Sequence, residues 1–174
     1  FSEATGGVIG QTLAMEGTFA FFLESSFIGL FLFGHKKLSP RMHWVSAFAV
    51  FARSWISGFF IVATNAFMQH PVGYEVQTNG TLALSSFWAL ILNPWLVWQY
   101  LHTMMGAVTT GAFVMAATGA YYLLAGRGEK ASEEARGHAE YGKIFVRTGV
   151  LVGLPATILV AFPTGDFQAV NVAN

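Results

Sequence analysis

Apolar residues gather in four long runs separated by short polar connections. The first, Leu13 to Gly34, reads LAMEGTFAFFLESSFIGLFLFG, and its apolar character reaches back to Val8. About 20 apolar residues are enough for a helix to cross a bilayer. The second run extends from about Trp44 to Phe67, the third from Trp95 to about Leu124, and the fourth from about Ile144 to Phe162. The third is long for one crossing, so its start is expected to project beyond the hydrocarbon. The pattern predicts an all-α fold, a polytopic membrane helical bundle of about four transmembrane helices. The spans fall near 8–33, 44–67, 95–124 and 144–162, in a single transmembrane domain over residues 1–174.

The polar connections place the ends of these elements. Phe1 to Thr12 is a Gly-rich lead-in, and Gly34 to Arg41 is a basic loop. Gln69 to Gly80 is a polar connection with turn signals at Pro71-Val72-Gly73 and Asn79-Gly80. Ser85 to Leu92 is a short apolar segment expected at the membrane interface. Asn93-Pro94 reads as an N-cap followed by the first helical position. Gly126 to Gly142 is polar and charged. Pro163-Thr164-Gly165-Asp166 follows the last run. The chain starts at Phe1 and stops in polar sequence at Asn174, which reads as an internal piece of a longer protein. No internal repeat and no low-complexity tract is visible.

Composition agrees with the membrane reading. The chain is 54% hydrophobic and only 10% charged, with mean hydropathy +0.53, whereas soluble domains carry about 25% charged residues. Net charge is zero, so charge gives no argument for nucleic-acid binding. The absence of cysteine excludes disulfides, iron–sulfur clusters and thiolate metal sites. Of nine Lys and Arg, seven fall in the two connections after the first and third runs, and none in the lead-in, the Gln69 to Pro94 connection or the tail. The positive-inside rule then puts the two basic loops in the cytoplasm. Trp95 and Trp98 fit an outer aromatic belt, and Trp44 an inner one.

A few polar residues interrupt the runs. Glu16 and Glu24 share the first run, about 12 Å apart along a helix and roughly 80° apart around it. Carboxylates in a membrane span face the bundle interior, a partner or a water path, so two at different depths suit a proton path to a buried site. The plainer reading is two neutral, hydrogen-bonded carboxyls. His102 lies about 12 Å into the third run. An imidazole there is either an axial haem ligand, with Gly106 one turn on leaving room for a flat macrocycle, or a histidine bonded to a neighbouring helix. Arg53 either pairs with an acidic group such as a haem propionate or reaches toward the inner face. Ser54, Ser57 and Asn65 either continue a polar path or bind helices together. Met104 and Met105 read as filler. His35, His43, His70 and His138 lie in or beside loops, where solvation is the default. Ala112, Ala116 and Ala120 form a small-residue packing stripe.

Taken together, LAMEGTFAFFLESSFIGLFLFG, the basic loop, ATNAFMQHP, LNPW, HTMMGAVTTGAF and FPTGD resemble subunit I of the cytochrome bd quinol oxidase family. The resemblance covers essentially the whole chain in the right order, and EG…FFLES and the QHP turn are its most specific parts. It implies a respiratory terminal oxidase of the bacterial inner membrane, which oxidises quinol, reduces dioxygen to water and contributes to proton motive force. The implied cofactors are a low-spin haem b, a high-spin haem b and haem d, and the implied partners are subunit II, quinol, dioxygen and the lipid membrane, with no nucleic acid.

Residue by residue, His102 matches the histidine on the low-spin haem b iron. Glu16 matches the glutamate at the high-spin haem pair, as iron ligand or close neighbour, and Glu24 the glutamate on the proton route to it. Ser57 and Asn65 match polar residues lining the same region. Residues 163–174 resemble the start of the extracellular quinol-binding loop. Arg53 departs from the family, which has a small residue there. The resemblance also implies further haem ligands before Phe1 and after Asn174, so this stretch alone would be inactive. Two other classes remain on the sequence alone: a proton-coupled transporter using Glu16 and Glu24 without haem, and a structural membrane subunit.

Overall fold

The computed structural model describes residues 2–18, 23–128 and 132–173. The described elements are α1 (Ser2–Gly17), α2 (Leu23–Phe33), α3 (Pro40–Gln69), β1 (Tyr74–Val76), β2 (Leu82–Leu84), α4 (Phe87–Ile91), α5 (Pro94–Ala125), α6 (Glu133–Leu159) and α7 (Asp166–Ala173). A short 3₁₀ turn at Gly34–Lys36 follows α2, and a wide turn at Val160–Gly165 joins α6 to α7.

Most helix starts are written in the local sequence. Ser39 Oγ accepts from Met42 N at 3.3 Å with Pro40 opening α3. Ser86 caps α4 through Ala89 N, and Ser132 caps α6 through Ala135 N. Asn93 Oδ1 accepts from Trp95 N at 3.0 Å just before α5. Each cap satisfies one of the amide groups that a helix leaves unpaired at its start.

Among the described residues, three stretches are long and apolar enough to cross a membrane: Pro40–Gln69, Pro94–Ala125 and Glu133–Ala173. The expected count was four. The first run is described only in part, as α1 and α2 on either side of residues outside the described set. The fourth differs in its bounds. Its helix begins at Glu133, inside the charged connection, because Ser132 caps it and Glu133 and Glu134 favour the positive end of the helix dipole. It ends at Leu159, before Phe162 turns to extended angles (φ −149°, ψ 130°). Residues 166–173, expected as loop, are helical. The Gln69 to Gly80 connection leads into an unforeseen two-stranded hairpin, with Tyr74 opposite Leu84 and Val76 opposite Leu82.

The chain divides into two compact units, Phe1–Tyr100 and Leu101–Asn174. In the first, α1 runs antiparallel to α3, as the pairs Glu16–Ser57 and Thr12–Thr64 require. Val8, Ile9, Phe67 and Leu90 form one buried cluster, with Leu82 and Leu84 of the hairpin packed on it. Val62, Ala63, Ala66 and Leu96 form another, flanked by Phe59, Ile91, Trp95 and Tyr100.

The second unit is closed by small residues. A Cβ added at Gly119 would lie 2.7 Å from the Gly142 carbonyl oxygen, and one at Gly142 would lie 2.8 Å from the Gly119 carbonyl oxygen. Gly149 sits equally close on the backbone of Ala112 and on Ala116. The facing set on α5 is therefore Ala112, Ala116 and Gly119, while Ala120 of the expected stripe is exposed. Steps of four and three residues hold one helix face, whereas a step of eight rotates about 80° away.

Candidate functional site

Glu16 sits near the end of α1, part-buried, and Ser57 lies on the facing side of α3 at 8% exposure. Ser57 Oγ donates to Glu16 Oε1 at 3.1 Å. The structure thus brings together two of the residues singled out from sequence. One turn back on α1, Thr12 is fully buried, and its Oγ1 lies 2.6 Å from Thr64 Oγ1. Each hydroxyl has one proton, so one of the pair donates to its own helix, Thr12 to Ile9 O or Thr64 to Phe60 O, and accepts from the other. Hydroxyls in an apolar span find such backbone partners when nothing else is available. The α1–α3 interface therefore carries a polar rung at Glu16–Ser57 and another at Thr12–Thr64.

Asn65 is not on that interface. Its Nδ2 donates to Gln99 Oε1 at 3.1 Å, and Gln99 Nε2 donates to Gln69 Oε1 at 2.7 Å. Gln99 is 2% exposed. The sequence assigned no role to Thr12, Thr64 or Gln99, although Thr64 interrupts the second run. The signal was available in part: Thr12 precedes Glu16 by four residues, and Gln99 is the one amide inside the third run. Glu24 falls in α2, but its side chain lies outside the described residues. Arg53 is part-buried on α3 with interactions of its own.

His102 belongs to the second unit and is part-buried on α5. Its Nδ1 is shielded from solvent and has no hydrogen-bond partner. Such a nitrogen is costly unless a donor, a proton or a metal reaches it. The turn joining α6 to α7 lies against this ring, for a Cβ at Gly165 would stand 3.5 Å from His102 Cε1 and would strike the Val160 carbonyl oxygen. Thr164, 4% exposed, pins the turn by donating to Leu159 O at 2.6 Å. At Gly106, one turn along α5, an added Cβ would meet nothing within 4 Å.

These residues fit a planar macrocycle better than a bare ion. Among the described residues no group of three or more His, Cys, Asp or Glu could hold a metal ion. A porphyrin brings four nitrogens of its own, so one imidazole with open space beside it suffices on one face. In α7, Gln168 Oε1 and Asn171 Nδ2 are also buried without partners, three residues apart and so on one side of the helix.

Of the loop-side histidines, His35 and His138 are exposed, as expected, whereas His43 and His70 are part-buried. His43 stacks on Phe31 at 5.3 Å and bonds its carbonyl oxygen. His70 stacks on Trp95 at 5.1 Å, and His138 on Tyr122 at 5.2 Å. Each of these rings has an aromatic neighbour, and His70 Nδ1, like that of His102, is buried without a hydrogen-bond partner.

Known proteins resemble this chain throughout its length. The family model for cytochrome bd terminal oxidase subunit I matches residues 1–174. Cytochrome bd ubiquinol oxidase subunit 1 of Bacillus subtilis is 41% identical over 124 residues, covering 71% of this chain and 26% of that protein. Cytochrome bd-II ubiquinol oxidase subunit 1 of Escherichia coli is 33% identical over 99% of this chain and 33% of its own length. The bd oxidase structure from Geobacillus thermodenitrificans superposes with a TM-score of 0.67 at 28% identity, covering 94% of this chain and 36% of that one. The chain thus spans about a quarter to a third of these relatives. With its whole length matched, this chain belongs to the cytochrome bd terminal oxidase subunit I family.

Proposed function

We propose that the protein of which this chain is part oxidises quinol and reduces dioxygen to water in a bacterial inner membrane, contributing to proton motive force. Family membership supports the class. The observation on this chain that carries the reading is His102, an imidazole in an apolar helix whose buried Nδ1 has no partner. The assignments are a low-spin haem b on His102, and a high-spin haem b and haem d at Glu16. When bound, these haems supply the one-electron chemistry that links quinol to dioxygen.

The chain's own residues have distinct tasks. His102 offers a ring nitrogen in a dry setting, and the Thr164–Gly165 turn limits where that ring can lie. Glu16 holds a proton or a charge beside the reacting centre, and the Ser57 hydroxyl steadies its carboxyl. Glu24 passes protons toward it, and Asn65 orients the polar path. The face of α7 bearing Gln168 and Asn171 begins the quinol-binding region, where an amide carbonyl and an amide N–H could meet the hydroxyl and carbonyl oxygens of a quinol–quinone pair.

The two basic connections lie in the cytoplasm, and the hairpin and α7 outside. Electrons and protons then enter from opposite faces, and each charge moved across the membrane field is worth about 2.3 kcal/mol per 100 mV. Subunit II is the expected partner. The visible spectrum of the full-length protein tests the reading. Haem bands, with quinol-dependent oxygen uptake, are expected. A colourless protein that moves protons with a solute would instead establish a transporter using Glu16 and Glu24.

A further inference from the structure

Gln99 is a buried residue to which no part of the mechanism above assigns a task. It is 2% exposed and lies on α5 three residues beyond Leu96, which belongs to the apolar cluster joining α3 to the start of α5. Burying an amide there is unfavourable unless both its ends are satisfied. Both are: Oε1 accepts from Asn65 and Nε2 donates to Gln69. Leucine, of similar size, would serve helix packing without that requirement. The three amides form a file from the exposed end of α3 at Gln69, through Gln99, to the part-buried Asn65. An amide has different groups at its two ends, so a file using both ends of its middle member has a direction. Reversing Asn65 alone would set its carbonyl oxygen against that of Gln99. Amides also release no proton at physiological pH, so the file can anchor Asn65 without opening a proton-conducting route to the outer face.

We infer that Gln99 is a positioning residue: it fixes which end of the Asn65 amide faces the proton path. The inference rests on the proposed role of Asn65. It attributes to a residue on α5 an effect on proton delivery exerted wholly through α3.

The test uses the full-length oxidase assembled with its partner subunit, and measures turnover per assembled enzyme together with the KM for quinol. Gln99→Leu should lower turnover about tenfold, the scale of one buried amide losing its partner. The KM and the low-spin haem spectrum should stay unchanged. Gln99→Glu still accepts from Asn65 Nδ2 and should keep more turnover than Gln99→Leu. In an Asn65→Leu background, Gln99→Leu should cause no further loss, because its effect passes through Asn65. Wild-type turnover in Gln99→Leu would overturn the inference. So would Gln99→Glu at or below Gln99→Leu, the order expected of a packing site, and so would a shifted low-spin spectrum or an additive loss in the double variant. Asn65→Leu alone tests the underlying reading, since unaltered turnover in that variant would remove Asn65 from the path and the positioning role with it.

Discussion

The two halves of the chain hold their helices together by opposite means. In the first unit the helices meet through two apolar clusters and through side chains with hydrogen-bonding groups: Glu16 with Ser57, Thr12 with Thr64, Asn65 with Gln99. In the second they meet through an absence of side chains, with Gly119 and Gly142 backbone against backbone and Gly149 on Ala112. Lipid offers no hydrophobic drive for helices to associate, so a membrane protein has these two devices, polar pairs and close small-residue contact. A polar pair places a titratable or orienting group inside the membrane. A glycine contact places nothing there. On the proposed reading, proton chemistry sits in the first unit, and the second presents His102 from α5.

The contrast makes a graded set of predictions. The largest effect should come from the glycine contacts. Gly149→Leu drives a side chain into the Ala112 backbone, and overpacking of this kind costs about 1–3 kcal/mol or more where no side chain can yield. Assembled oxidase in membranes should fall to background, as read by haem content. Normal assembly would show that the α5–α6 contact tolerates separation.

Glu16→Gln should come next. The amide keeps the size and can still accept from Ser57, but it cannot carry a proton. Loss of a group that transfers protons costs roughly a hundredfold or more in rate, and the spectrum of the haem pair should change as well. An unchanged spectrum would leave Glu16 with an effect on local polarity alone. Glu24→Gln should be milder, slowing oxygen reduction about tenfold with the low-spin haem in place. Unchanged turnover would take Glu24 off the proton route. The smallest effect belongs to Thr12→Val, which removes one partner of a buried hydroxyl pair. It should cost about 1 kcal/mol of stability with turnover preserved, measured as a lowered thermal midpoint. A large loss of turnover would make the Thr12–Thr64 rung part of the path.

How much of this was legible in the sequence follows from the same contrast. Long apolar runs and local caps are one-dimensional signals, so α3 and α5 could be placed closely, and Ser39-Pro40 and Asn93-Pro94 mark where they start. The polar start of α6 was missed because helices that leave the membrane lose their apolar signature while keeping their hydrogen bonds. The hairpin was missed because two three-residue strands gain their stability from the α1 and α4 surfaces beneath them, not from their own pattern. Glu16 and Ser57 could each be named from sequence, but their pairing depends on the antiparallel register of α1 and α3. Gln99 stands out in the sequence only as the one amide of the third run, since its meaning lies in partners 34 and 30 residues away.

The most direct measurement is the reduced-minus-oxidised spectrum of the full-length His102→Ala oxidase in membranes. His102 is the single donor that the second unit presents in this account, and Met104 and Met105 point about 200° and 300° further round the helix. The low-spin haem b band should be lost or become high-spin, and quinol oxidation should fail. Bands of the haem pair should persist at least partly, because their ligands come from other helices. An intact low-spin band with normal quinol turnover would contradict the haem assignment, and would make His102 a packing residue with an empty-handed nitrogen.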